Sequence, residues 1–180
     1  MATTASKPAT EADLWAMPDD EYRYELVDGE IRPMSPTGRP HGRVAARLMV
    51  RLGGFVEAQQ LGESYDSSTG FRMPNGNVRS PDLAFIATSR LEGVAADGYL
   101  PVVPDLAVEV LSPGDRSREV FDKVGEYLDA GVQLVWVIDP VKRCASRYRS
   151  LTDLRTLGID DFLDGEDVVP GFRCALSEIL

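Results

Sequence analysis

Cysteine is nearly missing from this chain. Two among 180 residues, Cys144 and Cys174, are too few for a disulfide framework and lack the paired spacing of a zinc site, so ordinary reduced thiols are expected. Histidine is scarcer still, with His41 alone, which leaves no His or Cys cluster for a transition metal. No apolar run approaches the ~18 residues of a membrane-spanning helix; Leu134 to Ile138 is among the longest. Met1 to Thr10 is small and polar with one lysine, unlike a secretory signal or an Arg-rich transit peptide, and a cytoplasmic protein is expected. A Walker phosphate loop and a G-x-S-x-G elbow are also missing, so nucleotide hydrolysis and serine hydrolysis have no support. Positive charge is in deficit. Nineteen basic against twenty-nine acidic residues give a net charge of −10, which argues against a generally basic surface for nucleic acid.

Apolar residues make up 43% of the chain and charged ones 27%, the balance of a soluble domain with a core to bury. Residues 1–9 read as a flexible tail and 10–180 as one domain, because no repeat, low-complexity tract or linker interrupts them. Thr10 and Asp13 have capping-box spacing for a short helix carrying Leu14 and Trp15. Tyr22 to Val27 and Glu30 to Met34 flank Asp28-Gly29, a hairpin signature. Val44, Leu48, Leu52, Phe55 and Val56 recur at helical spacing, with Arg43, Arg47 and Arg51 as an adjacent basic stripe. Strands are expected at Ser64 to Met73, Asp82 to Ala87 and Asp105 to Leu111. The last opens a β-α-β unit: Arg116 to Ala130 is helical, Gly131 caps it, and Gln133 to Ile138 returns as a buried parallel strand. Arg143 to Arg149 follows as an antiparallel neighbour. The sum is an α/β domain, a mixed sheet flanked by helices and preceded by an N-terminal helix and hairpin.

Charge is distributed unevenly. Ile31 to Val56 holds five arginines and no acid, whereas Thr152 to Leu180 holds seven acids and two arginines. Lys142, Arg143, Arg147 and Arg149 form a second basic stretch. The plain reading of each stretch is a solvated face.

Two carboxylates stand where apolar residues belong. Period two along Asp105 to Leu111 puts Leu106, Val108 and Val110 on one face and Ala107, Glu109 and Leu111 on the other. Glu109 therefore breaks an apolar face, and a desolvated carboxylate needs a proton, a partner or a cation. Asp82, after Pro81, opens the apolar run Leu83 to Ile86 in the same way. If the strands are neighbours, hard oxygen ligands converge, which favours Mg²⁺ or Mn²⁺ over zinc. The competing reading is a buried ion pair at Glu109 and a strand-start cap at Asp82. Lys123 borders the apolar face of the crossover helix, where lysines usually snorkel to solvent. Its height decides otherwise: counting back from the strand end and from the helix start gives ~10 Å in each direction, so the ammonium comes level with Glu109. Paired acids, a cation and a nearby amine equip a site for phosphodiester hydrolysis.

Tyr24-Glu25-Leu26-Val27-Asp28-Gly29-Glu30, Ser80-Pro81-Asp82-Leu83, Pro104 to Pro113, Lys123, Val137-Ile138-Asp139-Pro140 and Pro170-Gly171-Phe172 resemble, in this order, the Uma-two family of endonucleases. That family belongs to the PD-(D/E)xK restriction-endonuclease-like superfamily. The resemblance covers nearly everything after the tail and implies a mixed four- to five-stranded sheet flanked by helices, with Mg²⁺-dependent cleavage of a nucleic-acid backbone. It implies Asp82 and Glu109 as metal-binding acids. The superfamily's lysine two positions after the second acid is replaced by Leu111, and Lys123 resembles its displaced equivalent. Glu25 matches an acidic position of the N-terminal region, either a further ligand and catalytic residue or a hairpin carboxylate paired with an arginine. His41 matches a position before the Arg-bearing helix, where a phosphate contact or a proton carrier is implied, against a helix-start residue without chemistry. Val135-Trp136 stands where the family often has two aromatics and reads as packing.

The expected function is therefore Mg²⁺- or Mn²⁺-dependent hydrolysis of nucleic acid, DNA foremost by analogy. Lys123 would position the attacking water, and Arg43, Arg47 and Arg51, with His41, would approach the phosphates. A catalytically inactive nuclease-fold module that binds nucleic acid or regulates is the alternative, favoured by the charge of −10. A hydrolase of smaller phosphate esters is a third. A homodimer suits two cuts in a duplex, although no interface signature is visible.

Overall fold

Thr10 caps the first helix as its spacing requires: its hydroxyl accepts from the Asp13 backbone at 3.3 Å and its own backbone N–H donates to Asp13 at 2.8 Å. The computed structural model describes residues 7–18, 22–95 and 97–180. The expected tail lies outside the described residues for 1–6, while Ala9 already donates to the Gly29 carbonyl at 2.7 Å.

Helix α1 (Glu11–Trp15) leads to the hairpin of β1 (Arg23–Val27) and β2 (Glu30–Met34). Helix α2 (Arg39–Ala58) follows, then β3 (Gly62–Asp66), β4 (Phe71–Arg72), β5 (Val78–Arg79) and β6 (Leu83–Ala87). After the turn α3 (Thr88–Leu91) comes the crossover: β7 (Leu106–Val110), α4 (Ser117–Asp129) and β8 (Leu134–Asp139). The chain closes with β9 (Cys144–Tyr148), β10 (Leu154–Leu157), β11 (Phe162–Asp164), β12 (Arg173–Ala175) and α5 (Leu176–Ile179). The main sheet runs β10-β9-β8-β7-β6-β3, one strand more than the largest sheet the resemblance implies, and only β7 and β8 are parallel. A second sheet, β2-β1-β5-β4, carries the hairpin, and β11 pairs with β12.

The two faces of the main sheet are covered by different helices. Val44, Leu48, Leu52 and Val56 of α2 pack with Leu106, Val108, Val110 and Trp136 on one side. Val124 and Tyr127 of α4 pack with Ala107, Val135 and Val137 on the other. Trp136 is fully buried and stacks on Phe172, so Val135-Trp136 is packing. Among the described residues no helix is long and apolar enough to cross a membrane.

Two expectations are corrected. Ser64 to Met73 is not one strand: Asp66 accepts from the Ser68 backbone at 3.0 Å, a side-chain-driven turn that ends β3 and sends β4 to the other sheet. The second basic stretch is a solvated face only in its first half: Lys142 and Arg143 are exposed, whereas Arg147 pairs with Asp153 and Glu166, and Arg149 with Glu166 and Asp167. Arg51, Arg147 and Arg149 each meet a carboxylate of the acidic segment.

The hairpin turn needs positive φ at both Asp28 (52°) and Gly29 (76°). A Cβ on Gly29 would also lie 2.7 Å from Cβ of Pro8. Gly29→Ala is expected to lose about 1–2 kcal/mol in urea unfolding. Gly114→Ala, where a Cβ meets nothing within 4 Å, should stay near wild type.

Candidate active site

Glu109 enters the site through simple alternation. Leu106, Val108 and Val110 of β7 face α2, so Glu109 faces α4 beside Ala107. Strand β6 pairs with β7 down to Leu83↔Val108; continued by one residue, that register would set Asp82, which precedes β6, opposite Glu109, and the Asp82 carboxylate is near enough to raise the Glu109 pKa. Asp82 turns one oxygen, Oδ2, to the Val110 N–H at 2.7 Å.

Lys123 reaches the same level from α4. Its Nζ lies 2.9 Å from Glu109 Oε1 and 3.3 Å from Glu25 Oε1. Tyr127, one turn further along α4, donates its hydroxyl to Glu109 Oε1 at 2.7 Å. Glu25 comes from β1 of the second sheet, where β5 pairs beside it. Its Oε1 accepts from the Ser80 N–H at 2.8 Å and its Oε2 from Arg79 at 3.0 Å. Arg79 also pairs with Glu126 of α4. The arginine partner considered for Glu25 is thus Arg79, and both Glu25 oxygens are taken. Glu109, Lys123 and Glu25 form one constellation, and Asp82 stands beside it, its charge felt at Glu109. Arg79 and Tyr127 belong to it as well, and sequence reading missed both. Tyr127 was visible as the residue four after Lys123, on the same helix face.

His41 stands in the first turn of α2, with its Nε2 3.0 Å from Asp82 Oδ2. It therefore meets an acid of the site, where a phosphate contact was implied. The arginine stripe divides between two settings. Arg43 donates to the Leu180 carbonyl at 2.7 Å and Arg51 pairs with Glu178 at 2.9 Å, so both hold the C-terminal turn α5 against α2. Arg47 is exposed and its side chain has no partner among the described residues.

Burial pushes the Glu109 carboxyl up to about 7; Lys123 opposes the rise, and the Asp82 and Glu25 carboxylates reinforce it. Burial also works against the Lys123 ammonium, but Glu109 and Glu25 outweigh it and hold its pKa above the usual lysine value. Lys123 stays a cation at any working pH, a fixed charge and donor rather than a base. Desolvation raises Glu25 as well, yet Lys123 and Arg79 carry it below its usual value.

A groove of about 990 Å³ opens onto Glu25, Glu109 and Lys123. Eight carboxylates and four cationic side chains line it, so its field is acidic. Asp82 and His41 lie outside that lining.

The family profile described as "putative restriction endonuclease", Uma2, matches residues 11–177. The chain belongs to the Uma2 family. No curated protein matches the chain. Its fold is shared by the crystal structure of a "putative nuclease belonging to DUF820" from Anabaena variabilis, with a TM-score of 0.81 at 19% sequence identity, covering 96% of this chain and 97% of that one. The Uma2 assignment and that likeness support a nuclease with a restriction-endonuclease-like fold.

For this Uma2 chain the fit of a divalent ion rests on its donor set. Among the described residues no group of three or more His, Cys, Asp and Glu is arranged to hold a metal. Asp82 and Glu109 each keep one oxygen, Oδ1 and Oε2, that accepts no hydrogen bond from the described residues. Two hard oxygens suit Mg²⁺ or Mn²⁺, which take one or two carboxylates and complete their shell with water and substrate phosphate. Asp82 and Glu109 thus supply the type of donor that such an ion takes.

Proposed function

We propose that this protein is a metal-dependent nuclease that hydrolyses phosphodiester bonds of nucleic acid, with DNA the first substrate to test. The observation that carries the reading is the approach of Lys123 to Glu109 at 2.9 Å, with the Asp82 carboxylate near enough to act on Glu109. Asp82 and Glu109 would hold Mg²⁺ or Mn²⁺, and such an ion supplies Lewis-acid stabilisation of charge developing on the phosphate. Lys123 orients the attacking water and donates to the phosphoryl oxygens as they gain charge. Glu25 does not serve as a ligand here; with Arg79 behind it, it keeps the Lys123 ammonium in place. Arg47 is the stripe residue left to contact a phosphate, and a twofold dimer would place two such sites on a duplex.

Supercoiled DNA, single-stranded DNA and RNA, each incubated with Mg²⁺ or Mn²⁺ and with EDTA, test this reading. Cleavage that needs the divalent ion, and that Asp82→Asn abolishes, is expected. Cleavage unchanged by Glu109→Gln and Lys123→Ala would remove these residues from the mechanism. The acidic lining of the groove favours a second reading, a non-catalytic binding or regulatory module. That module would give salt-sensitive nucleic-acid binding without any divalent ion and no cleavage.

A further inference from the structure

A carboxylate that rotates freely can offer either oxygen to a cation, and stopping that rotation costs entropy on binding. Neither acid of the pair is free to rotate. Asp82 Oδ2 takes two donors, the Val110 N–H at 2.7 Å and His41 Nε2 at 3.0 Å. Glu109 Oε1 also takes two, the Tyr127 hydroxyl at 2.7 Å and the Lys123 ammonium at 2.9 Å. The pattern is the same on both strands: one oxygen doubly held, the other left over.

Two of these donors have little other polar work: beyond its hydroxyl, Tyr127 has, among the described residues, only the Lys123 ammonium 5.9 Å from its ring centroid. The His41 ring is buried, at 8% exposure, and its Nδ1 is enclosed without a partner. Among the described residues Asp82 is therefore the ring's single polar contact, and since a carboxylate only accepts, the proton must sit on Nε2. Tyr127 is fully buried under the sheet, and its hydroxyl reaches Glu109. A buried hydroxyl and a buried imidazole cost desolvation that packing alone would avoid with Phe and Leu.

We infer that His41 and Tyr127 are positioning residues that each lock one oxygen of the acid pair, and so present Asp82 Oδ1 and Glu109 Oε2 to a divalent cation. The inference rests on the metal-dependent reading above and adds to it residues that touch neither ion nor substrate. It also replaces the implied phosphate contact of His41 by a role exerted through Asp82. Outer partners of this kind orient ligand oxygens and raise affinity.

Mn²⁺ affinity of the full chain, read without nucleic acid from the electron paramagnetic resonance signal of free Mn²⁺, tests it. Wild type binds and Glu109→Gln does not. Tyr127→Phe, which removes one oxygen, and His41→Asn, whose amide stops near the Nδ1 position and falls short of Asp82, each weaken binding roughly 10- to 100-fold. His41→Gln places an amide donor near the Nε2 position and recovers affinity to within about 3-fold of wild type. Circular dichroism confirms that each variant is folded; should His41→Asn unfold, Tyr127→Phe and His41→Gln carry the comparison. Wild-type affinity in Tyr127→Phe and His41→Asn would overturn the inference while leaving the metal site standing. His41→Gln as weak as His41→Asn would overturn it for His41, because the ring itself would then be required. A folded wild type that binds no Mn²⁺ would fail the metal reading itself, and the inference with it.

Discussion

Glu109→Gln should abolish cleavage and at the same time stabilise the protein at alkaline pH. The catalytic loss is expected to be at least about 10³-fold, since both the ion and the charge it stabilises depend on this oxygen donor. The gain in stability follows from linkage. Glu109 titrates near 4.5 in the unfolded chain and at about 7 in the fold. Between those values the folded chain holds more protons, so stability falls as pH rises through that window and the penalty is complete above it. Gln carries no charge and escapes the penalty. It also leaves Lys123 with Glu25 as its remaining anionic partner. The net gain should be on the order of 1–3 kcal/mol at pH 8 and near zero at pH 4. Urea unfolding of both proteins at the two pH values measures it. Equal loss of stability at both would mean that the Glu109–Lys123 pair, rather than an excess of carboxylates, governs the site.

Lys123→Met has the opposite stability signature. Removing the ammonium leaves Glu25 and Glu109 facing each other with Arg79 alone as a counter-charge, and Arg79 contacts Glu25 but not Glu109. Breaking a buried pair in this way costs about 3–5 kcal/mol when the abandoned carboxylate must stay ionised. At pH 5 Glu109 is protonated in the fold and the cost shrinks. The melting temperature of Lys123→Met should therefore fall between pH 5 and pH 8 more steeply than that of wild type. Cleavage should drop about 10²- to 10³-fold, the scale of losing one preorganised donor to a developing oxyanion. A stability loss of the same size at both pH values would contradict the assignment of Lys123 as the counter-ion of Glu109. A full-rate variant would remove it from the chemistry.

The parts of this site that sequence could reveal are those set by local periodicity. Alternation along β7 fixes the face of Glu109, and the strand-helix arithmetic of the crossover brings Lys123 level with it. Asp82 needed only the guess that β6 and β7 are neighbours. Glu25 was different: nothing local says that a hairpin in a second sheet folds over α4, and the family resemblance alone pointed to it. Arg79 and Tyr127 went unread for a related reason. Their partners lie 54 and 18 residues away, and apart from the four-residue spacing of Tyr127 from Lys123 neither residue carries a local mark that distinguishes a site residue from packing. The arginine stripe is regular in spacing, but the partners of Arg43 and Arg51 are not local. Arg43 and Arg51 meet α5, more than a hundred residues downstream. The broken strand at Asp66 shows the complementary failure, in which the turn-forming Asp66-Ser67-Ser68 between two short strands was read through.

An acidic groove in a protein that handles a polyanion becomes coherent if a divalent ion belongs to the site, because two acids that repel each other then share one counter-charge. This is the claim on which the rest depends. Crystals soaked in Mn²⁺ and measured at its absorption edge test it most directly. An anomalous peak within coordination distance of both Asp82 and Glu109, lost in Glu109→Gln, is the predicted result. A map with no peak at that pair, or a peak bound elsewhere with Asp82 and Glu109 untouched, would contradict it.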